Sequence, residues 1–307
     1  MYDLIILGGG PAGISAGVYA ARKKLNTMLV AYEIGGQSIV SEDIQNWIGT
    51  PSISGAKLAE QMKKHLLTYA DDSVEINIGA KALNIKKENE IFLVSTDKGN
   101  YKARGILVAT GSHRRKLTIP GAKEFDNKGI TYCASCDGPL FSGKNVIVIG
   151  GGNAGFETAA QLLAYAKSVT LIHRGAEFSK ADPIIVEKVI KNSKMKTLLN
   201  TEPIEIKGDK FVNAIVYKNN KTGETTEIPT EGVFVEIGAI PTTDFIKDAV
   251  DINEIGAIKI DPWTQQTSEK GIWAAGDCTN VLYHQNNISA GDGVRAIEDI
   301  YLHLHAK

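Results

Sequence analysis

The chain has 307 residues, of which 43% are hydrophobic and 22% are charged, a balance typical of a globular protein with substantial cores. Its 34 basic and 35 acidic side chains give a formal net charge of -1, so the composition carries no polyelectrolyte signature for nucleic acid or for an anionic membrane. A length of this order predicts about two domains.

The N-terminal end and the cysteine content indicate a cytoplasmic protein. Met1 is followed almost directly by an apolar strand, without the charged, apolar and cleavage regions of a signal peptide. No apolar run approaches the ~20 residues that a membrane-spanning helix needs, so no membrane segment is expected. Three cysteines, an odd number, do not form an extracellular disulfide framework.

The chain opens with the pattern of strand, tight turn and helix. Tyr2–Leu7 is a continuous apolar run of strand type, and Ile14–Lys24 is rich in alanine and other good helix formers. Between them, Gly8 permits the turn, Gly10 lets the backbone approach a pyrophosphate, and Gly13 lets helix and strand pack closely. The helix N-terminus adds unpaired N–H groups and a positive dipole end, so this segment predicts a dinucleotide-binding loop.

The rest of the first domain is predicted to contain a helix and several strands. The second strand, Thr27–Ala31, ends near Glu33, which is either the acid that binds a ribose hydroxyl or a solvated surface residue. Ser54–Ala70 has the apolar spacing of an amphipathic helix. Alternating stretches predict a small antiparallel excursion and a returning strand, at Val74–Ile78, Ala82–Lys86, Ile91–Thr96 and Tyr101–Ala109.

A Cys-x-x-Cys motif follows at Cys133 and Cys136. Two thiols at this spacing can close into a disulfide ring that is easily reduced and reoxidised. The alternative is half of a zinc site, but zinc needs about four ligands, and the chain has neither a second such motif nor an internal histidine pair at ligand spacing. Asp137 is the natural proton donor and acceptor for the departing thiolates, or else an ordinary turn residue. Cys278 is expected to be a buried structural thiol.

The pattern of strand, glycine-rich turn and helix then occurs a second time. Lys144–Ile149 is the strand, Gly150–Gly155 is the second fingerprint, and a helix is predicted from Asn153 to about Tyr165. A second dinucleotide-binding loop is therefore expected in the middle of the chain.

The strand after this second fingerprint, Val169–Ile172, ends at His173 and Arg174. An acid in this place would favour NAD by binding the ribose 2′-hydroxyl, whereas a base accommodates the 2′-phosphate of NADP. Arg174 and Lys180 therefore favour NADPH, unless these side chains are simply solvated. Further alternating segments predict a β-meander and a closing strand, at Pro203–Ile206, Phe211–Lys218, Thr225–Pro229 and Gly232–Gly238.

The C-terminal part has a strand, an acid and a final helix. Gly271–Asp277 has the pattern of an apolar strand that ends in a glycine and a carboxylate, suited to bind a sugar-like hydroxyl of a large cofactor or, alternatively, to cap a helix. The final helix is predicted from Ile288 to the C-terminus. Two nucleotide folds and a redox cysteine pair imply a flavin relay, in which one fold binds the flavin, the other binds a nicotinamide, and the dithiol passes electrons onward.

In this order, the motifs resemble the low-molecular-weight thioredoxin reductases and the closely similar flavoprotein reductase module of alkyl hydroperoxide reductases. The resemblance covers essentially the whole chain. It rests on several independent motifs: Gly8 to Gly13, Gly35-Gly36-Gln37, Asn46-Trp47, Ala109-Thr110-Gly111, Cys133 to Gly138, Gly150 to Glu157, and Gly276-Asp277 with Gln285.

The resemblance implies an α/β fold of two Rossmann-like, three-layer ββα nucleotide-binding domains, the second inserted into the first. It implies an FAD domain at residues 1–113 and 242–307 and an NAD(P)H domain, carrying the cysteine pair, at residues 114–241. It also implies a cytoplasmic homodimer whose two domains rotate about hinges, expected near Ser112–Lys116 and Ala239–Asp244.

The resemblance also implies roles for individual residues. Cys136 is expected to lie next to the flavin, and Cys133 to attack the disulfide of a thioredoxin or thioredoxin-like protein. The residues expected to bind FAD are Gly8, Gly10, Pro11, Ala12, Gly13, Glu33, Gly36, Gln37, Asn46, Ala109, Thr110, Gly111, Gly276, Asp277, Gln285 and Asn286. The residues expected to bind NADPH, or NADH as the alternative, are Gly150, Gly152, Asn153, Ala154, Gly155, His173, Arg174 and Lys180. No metal ion is expected.

One segment departs from the family's pattern. The NADPH-specific members carry His-Arg-Arg followed after three residues by another Arg, whereas this chain has His173-Arg174-Gly175-Ala176-Glu177-Phe178-Ser179-Lys180. Two of the three phosphate-binding arginines are missing, which is expected to cost roughly a few kcal/mol of discrimination for the 2′-phosphate. Weakened NADPH preference, use of NADH, and an electron donor other than a nicotinamide remain open.

The disulfide that would be reduced is also open. A reductase of a peroxiredoxin or of a glutaredoxin-like carrier is the alternative enzyme, because Pro139-Leu140-Phe141 and the altered segment after His173 resemble the peroxide-linked branch. The N-terminal thioredoxin-like extension of that branch is not expected here, so a separate thioredoxin-like protein would have to mediate. A hypothesis of a different class is a flavin-containing redox sensor with little turnover.

Overall fold

The computed structural model describes residues 1–41 and 43–305. Within them the chain forms two compact units. The first comprises Met1–His113 together with the C-terminal part from Ile240 onward, and the second comprises Arg114–Ala239. Each unit contains a parallel sheet with helices, so the predicted α/β fold, with one Rossmann-like unit inserted into the other, is confirmed.

The elements are numbered in chain order. The strands are β1 (Tyr2–Leu7), β2 (Thr27–Ala31), β3 (Val74–Ile78), β4 (Ala82–Glu88), β5 (Ile91–Thr96), β6 (Gly99–Val108), β7 (Ser112–Arg114), β8 (Ile130–Thr131), β9 (Asn145–Ile149), β10 (Ser168–Ile172), β11 (Met195–Leu198), β12 (Thr201–Gly208), β13 (Val212–Asn219), β14 (Thr225–Pro229), β15 (Gly232–Val235), β16 (Ala239–Pro241) and β17 (Ile272–Ala274). The helices are α1 (Pro11–Arg22), α2 (Gly55–Ala70), α3 (Ala134–Asp137), α4 (Asn153–Leu162), α5 (Pro183–Ile190) and α6 (Asn286–His305).

The first unit is built on one sheet with the strand order β3-β2-β1-β6-β5-β4, to which β17 adds by pairing with β6. The strands β3, β2, β1, β6 and β17 are parallel, whereas β4 and β5 form antiparallel ladders that continue to β6. The predicted antiparallel excursion is therefore right for β4 to β6. It is wrong for β3, because a short alternating segment does not show which neighbour it will join.

Both faces of this sheet are covered, which explains why β1 is apolar without interruption. Leu4 and Ile6 point into the core beneath α1, α2 and α6, whereas Ile5 and Leu7 point into the core on the opposite face. All of them are at most 1% exposed. Each such side chain contributes about 1.5–3 kcal/mol through burial, so the strand that leads into the first glycine loop is firmly held.

The first and last helices of the first unit begin earlier than predicted, whereas α2 begins one residue later, at Gly55, with Ser54 as its capping residue. The first starts at Pro11 instead of Ile14, because proline fits the first helical position and needs no backbone N–H there. It ends at Arg22, and Lys24, predicted as helical, has a left-handed φ of 56°. The last helix starts at Asn286, two residues before the predicted Ile288. Its predicted extension to the C-terminus reaches residues 306 and 307, which lie outside the described residues.

The second unit repeats this arrangement around a parallel sheet with the order β11-β10-β9-β15-β8. Alternate residues of its central strand again enter two cores: Val146 and Val148 pack beneath α4, and Ile147 and Ile149 face the β-meander side. The meander itself, β12-β13-β14, is antiparallel, as predicted.

Several boundaries in this unit differ from the predicted ones. The helix after the second glycine loop ends at Leu162 instead of about Tyr165, and the closing strand ends at Val235 instead of Gly238. The helix Pro183–Ile190 and the strand Met195–Leu198 were not predicted. This helix begins with Pro183 after the capping residue Asp182, whose side chain accepts a hydrogen bond from the N–H of Ile184.

Two short strands, β7 and β16, occur where the chain passes from one unit to the other. Within the first unit, the N–H of Thr242 donates to the carbonyl oxygen of Gly111 at 2.9 Å. Within the second unit, the N–H of Arg115 donates to the carbonyl oxygen of Gly238 at 3.0 Å. The predicted hinge segments contain Arg115 and Thr242, and Gly111 and Gly238 directly precede them; a hinge function stays a prediction. None of the helices in the described ranges is long and apolar enough to cross a membrane.

Candidate active site

The turn between β1 and α1 is built from glycines at positions where a side chain would clash. Gly8 has a φ of +126°, and a Cβ on it would lie 2.1 Å from the carbonyl oxygen of Ala109. A Cβ on Gly13 would lie 2.0 Å from the carbonyl oxygen of Gly8. Gly10 is different, because the nearest atom to an added Cβ would be the Cα of Gly36 at 3.8 Å. At Gly10, where the helix begins, the backbone therefore carries no side chain and has open space beside it.

The turn between β9 and α4 has the same geometry. Gly150 has a φ of +125°, and a Cβ on it would lie 2.2 Å from the carbonyl oxygen of Glu236. A Cβ on Gly155 would lie 1.9 Å from the carbonyl oxygen of Gly150, whereas one on Gly152 would have its nearest neighbour, the Lys180 carbonyl oxygen, at 4.0 Å. The three glycines of the two fingerprints thus occupy equivalent positions.

Both helices that follow these turns have uncapped N-termini. The residue that precedes each helix is a glycine, so it has no side chain to accept a hydrogen bond from the first turn, and neither first turn contains an acidic residue. Pro11 occupies the start of the first helix, and Asn153 and Ala154 open the second. Unpaired N–H groups at the positive end of a helix dipole bind phosphate, so both turns fit the pyrophosphate of a dinucleotide.

Most of the residues predicted to bind FAD lie near the first turn or are joined to one another. An added Cβ on Gly276 would lie 3.2 Å from the Cβ of Ala12, and Ala109 packs against Gly8. The polar members are held by hydrogen bonds to one another or to other residues of the unit: Asn46 Nδ2 donates to Gln285 Oε1 at 3.2 Å, Ser38 Oγ to Asn286 Oδ1 at 2.8 Å, Gln37 Nε2 to Ser112 Oγ at 3.4 Å, and Thr110 Oγ1 to the Thr242 carbonyl oxygen at 2.7 Å. Five distant segments therefore converge in one unit.

Glu33 lies at the end of β2 and is exposed. Its carboxylate makes no hydrogen bond or ion pair with any other residue in the described ranges, so it is available to a ligand. The alternative of a solvated surface residue is equally compatible with this position. The ribose-binding role of Glu33 therefore stays a prediction.

Two acids lie together where β17 ends. Asp277 is in the 3-10 turn Gly276–Cys278 and accepts a hydrogen bond from Ser289 Oγ at 3.2 Å. Asp292 on α6 is only 4% exposed; Arg295 Nη1 contacts its Oδ1 at 3.2 Å, while Oδ2 has no partner among the described residues. Burial raises the pKa of Asp292, and the Arg295 charge opposes this shift. An unpaired buried oxygen fits the presence of a ligand hydroxyl or water.

The sulfur atoms of Cys133 and Cys136 form a disulfide, 2.08 Å long. Cys133 caps the short helix α3, and its Sγ accepts a hydrogen bond from the N–H of Cys136 at 3.1 Å. Both cysteines are partly exposed, whereas Cys278 is fully buried in the core of the first unit. Burial raises the pKa of the Cys278 thiol to about 11, as expected for an unreactive structural cysteine.

Asp137 ends the same short helix, so its carboxyl belongs to the turn that carries the disulfide. Burial raises the pKa of this carboxyl, and a hydrogen bond from Thr131 partly opposes the shift. A carboxyl with a raised pKa can hold a proton closer to neutral pH than a solvated one. The half-buried carboxyl is therefore compatible with the predicted proton donor and acceptor, a role that stays a prediction.

The predicted nucleotide-binding side chains after β10 differ in packing. His173 is held between Gly151 and Phe178, with its Nε2 3.0 Å from the Glu177 carbonyl oxygen. Arg174 and Lys180 are exposed, and neither side chain is paired with another residue in the part of the chain described. Two free cations near the second glycine turn can attract a phosphate.

Three polar residues of the site were not predicted: Thr131, Glu236 and Asp292. Glu236 follows β15, its side chain is 5% exposed, and it binds Thr158 Oγ1 at 2.8 Å and Arg114 Nη1 at 3.5 Å. Burial is the largest cause that raises the pKa of this carboxyl, and Arg114 opposes it. Each of the three lies outside the predicted motifs and is brought into the site by side-chain contacts, so no local sequence signal marks it.

A comparison with family models decides the assignment of the chain. Residues 2–293 match the model described as "Pyridine nucleotide-disulphide oxidoreductase". The chain belongs to this family. The pyridine nucleotide-disulphide oxidoreductases are flavoprotein enzymes, and membership implies FAD and a pyridine nucleotide as cofactors.

Curated proteins that are similar to this chain carry two different names. The chain is 40% identical over 297 residues to an alkyl hydroperoxide reductase subunit of Escherichia coli (strain K12), covering 96% of this chain and 57% of that protein. It is 38% identical over 295 residues to a protein named NADH dehydrogenase of Bacillus subtilis (strain 168), with coverage of 96% and 57%. The chain thus spans a little over half the length of these relatives.

Solved structures of similar size show the same fold along the whole chain. Thioredoxin reductase from Streptococcus pyogenes MGAS5005 has a TM-score of 0.91 and 33% identity, covering 100% of this chain and 99% of the other. Thioredoxin reductase from Giardia duodenalis has a TM-score of 0.92 and 30% identity, with coverage of 100% and 99%. The predicted resemblance to low-molecular-weight thioredoxin reductases is therefore confirmed, together with two Rossmann-like nucleotide-binding domains.

Proposed function

We propose that the chain is an FAD-dependent disulfide reductase, in which electrons pass from NADH or NADPH through FAD to Cys133–Cys136 and then to the disulfide of a thioredoxin-like protein. The observation that supports this proposal most strongly is the disulfide between Cys133 and Cys136, which shares its turn with Asp137 and its unit with the second glycine loop. The names of the solved thioredoxin reductases agree with this class of reaction.

The chain's own residues have separable tasks in this proposal. FAD, when bound, supplies the ability to take a hydride from the nicotinamide and to return two electrons to a disulfide. The bare turn at Gly10 and the uncapped helix α1 would hold its pyrophosphate, and Asp277 would bind one of its hydroxyl groups. The second turn, at Gly152, would hold the nicotinamide dinucleotide. Asp137 would hold the proton that a departing thiolate needs.

Among the donors, NADH is supported by a specific observation. Arg174 and Lys180 are exposed and unpaired within the described ranges, and a Cβ on Gly175 would lie 2.6 Å from His173 Nε2. An arginine at position 175 would therefore have to displace His173. Each charge-assisted hydrogen bond that is missing removes about 1.5–3 kcal/mol of preference for NADPH. The name of the Bacillus subtilis relative also agrees with NADH.

The disulfide partner and the assembly are part of the same proposal. A thioredoxin-like protein is the proposed electron acceptor, and a peroxiredoxin or glutaredoxin-like carrier is the second candidate because the Escherichia coli relative is named as part of an alkyl hydroperoxide reductase. A homodimer in the cytoplasm is proposed from the resemblance to the thioredoxin reductases. Thioredoxin and a peroxiredoxin, supplied separately as substrates, would rank these partners by kcat/KM.

Anaerobic titration of the purified yellow protein tests the first half of the relay. NADH and NADPH are added separately while the flavin absorbance is recorded. Bleaching by both, with NADH at least as effective as NADPH, is expected because the missing arginines weaken recognition of the 2′-phosphate. Bleaching by neither nicotinamide would contradict the proposal and would favour a different electron donor.

Cysteine variants test the second half. Cys136→Ser and Cys133→Ser are expected to retain FAD and to lose disulfide turnover by several orders of magnitude, because no dithiol remains to pass electrons on. Cys278→Ala is the matched control; it removes a thiol in the buried core and should keep turnover. Steady-state reduction of a small aromatic disulfide is the measurement. Retained turnover in Cys136→Ser would exclude the relay, and very slow turnover of the wild type would favour a redox sensor.

A further inference from the structure

Thr131 connects the sheet of the second unit to the turn that carries the disulfide. It is the last residue of β8, pairs with Phe234 of β15, and is only 6% exposed. Its Oγ1 donates a hydrogen bond to Oδ2 of Asp137 and accepts one from the N–H of Cys133 at 3.4 Å. One hydroxyl group therefore contacts both the carboxyl and the backbone of the first cysteine.

The chemistry of a hydroxyl makes this arrangement directional. A threonine hydroxyl has one proton and two lone pairs, and here the proton is used by Asp137 while a lone pair is used by Cys133. The strand fixes the backbone of Thr131, and its β-branched side chain has few rotamers. The carboxyl of Asp137 is thereby fixed relative to the sheet as well as to its own four-residue helix.

We propose that Thr131 is a positioning residue of the dithiol site, whose hydroxyl holds the Asp137 carboxyl where protons reach and leave the two sulfurs. The inference rests on the proposed function and adds to it a residue that neither the cysteine motif nor the glycine motifs contain. Thr131 does not itself exchange protons or electrons with the sulfurs; it acts through Asp137.

The proton balance shows why this position matters. Reduction of Cys133–Cys136 breaks the S–S bond and takes up two electrons, supplied by reduced flavin, and two protons. Reduction of a partner disulfide by the dithiol returns two electrons and two protons to the partner and re-forms the S–S bond. Asp137 can carry one of these protons in each direction, and solvent can carry the other because both cysteines are partly exposed.

The groups around Asp137 give the expected direction of a pH effect. Burial raises the pKa of Asp137, and the Thr131 hydrogen bond lowers it by stabilising the carboxylate. Other titratable groups nearby include the two thiols of the reduced form and the phenol of Tyr165, which lies against Gly138 and whose own pKa is raised by burial. They also include the phenol of Tyr132, between Thr131 and Cys133 in the chain, whose pKa burial raises to about 12. Loss of the Thr131 hydroxyl should therefore raise the pKa of Asp137 further, and the protonated acid should persist to higher pH.

Thr131→Val and Thr131→Ser form the matched pair of variants. Valine keeps the β-branched shape without the hydroxyl, and serine keeps the hydroxyl. Thr131→Val is expected to lower disulfide turnover by about tenfold, the effect of one hydrogen bond to a charged group. The alkaline limb of its pH profile should move upward by up to about one unit. Thr131→Ser should restore both, and flavin reduction by the nicotinamide should be unchanged in both variants.

A double-mutant cycle and a direct titration separate this role from a structural one. If Thr131 acts through Asp137, Thr131→Val should slow Asp137→Asn no further. The ¹³C signal of the Asp137 carboxyl, assigned with Asp137→Asn in selectively labelled protein, should titrate at higher pH in Thr131→Val than in wild type. Thr131→Ala provides a second variant without the hydroxyl if valine disturbs folding, which circular dichroism would show.

The failure of this inference differs from failure of the proposed function. If wild type reduces disulfides and the cysteine variants do not, but Thr131→Val and Thr131→Ala keep the wild-type rate and pH profile, the positioning role is excluded while the relay stands. Additive losses in the double-mutant cycle would likewise overturn it. If wild type does not reduce disulfides at all, the relay and the role of Thr131 fall together.

Discussion

The two glycine turns of this protein have nearly identical backbones and different surroundings. Gly8 and Gly150 have φ values of +126° and +125°, and a Cβ on either would lie within 2.2 Å of a carbonyl oxygen. Around the first turn the candidate ligand side chains include the acids Glu33 and Asp277, whereas near the second turn they include the bases Arg174 and Lys180. The turn geometry therefore indicates a dinucleotide, and residues outside the turn must select which one.

There is a physical reason why the two turns are alike while the side chains around them differ. The turn glycines are fixed by main-chain contacts inside each unit, so little variation is possible there. Arg174 and Glu33 are exposed and make no bonds to other described residues, so their replacement is expected to leave the fold unchanged. Selectivity for the cofactor can change in such a protein without loss of stability, and variants can test this separation.

The largest expected effect is that of alanine at the two turn glycines. Gly8→Ala and Gly150→Ala each combine a left-handed φ with a clash against a carbonyl oxygen, and should lower the free energy of unfolding by about 2–5 kcal/mol. Gly8→Ala is expected to lose FAD, whereas Gly150→Ala should stay yellow and lose reduction by the nicotinamide. Thermal unfolding and flavin absorbance are the measurements.

Gly291→Ala provides the control for these variants. Gly291 lies in α6, and no heavy atom is within 4 Å of an added Cβ, so stability should be unchanged or slightly higher. Loss of FAD in Gly150→Ala to the same extent as in Gly8→Ala would show that the two turns do not serve separate cofactors.

A smaller effect is expected at the second glycine of each fingerprint. A Cβ fits at Gly10 and Gly152 without a clash, but the backbone must approach the pyrophosphate there. Gly152→Ala is expected to weaken nicotinamide binding on the order of tenfold, and Gly10→Ala to weaken FAD binding similarly, with melting temperatures of the cofactor-free proteins unchanged. Fluorescence titration with each cofactor measures this, and a loss of thermal stability would contradict the steric argument.

The smallest effect is expected at Arg174. Arg174→Ala should raise the KM for NADPH about 2- to 5-fold and leave the KM for NADH unchanged, because an exposed ion pair contributes about 0.4–1 kcal/mol. Lys188→Ala, at an exposed position on α5, is the control for the loss of one positive charge in the same unit. An equal change for both nucleotides would mean that Arg174 does not contact the 2′-phosphate.

The parts of the fold that the sequence predicts well are those with a local physical cause. The bounds of Tyr2–Leu7 are correct because a strand buried on both faces must be apolar throughout, and the meander is correct because half-buried strands alternate. Val74–Ile78 is a strand as predicted, but its parallel pairing with β2 depends on the intervening helix, which periodicity does not describe.

The residues of the candidate site also divide into those that the local sequence predicts and those that it does not. Glycines and the cysteine pair are predictable because the backbone conformation or the spacing itself requires these residue types. The hydrogen bond from Thr158 to Glu236 joins residues 78 positions apart, and the unpaired Oδ2 of Asp292 becomes visible only when α6 packs on the rest of its unit. Such contacts depend on tertiary packing, so the sequence shows the motifs of the site without the groups that support them.

The two chain crossings have a consequence for how such a molecule can arise. In the inserted unit, Arg115 and Gly238 are joined by one main-chain hydrogen bond, so its entry and exit lie side by side. In the host unit, Thr242 and Gly111 are joined in the same manner, so the cut ends of the host also meet. The inserted unit could therefore be added to or removed from the host gene as one module without breaking a strand of either larger sheet. Recombination of whole modules is thus a feasible origin for this architecture in physical terms.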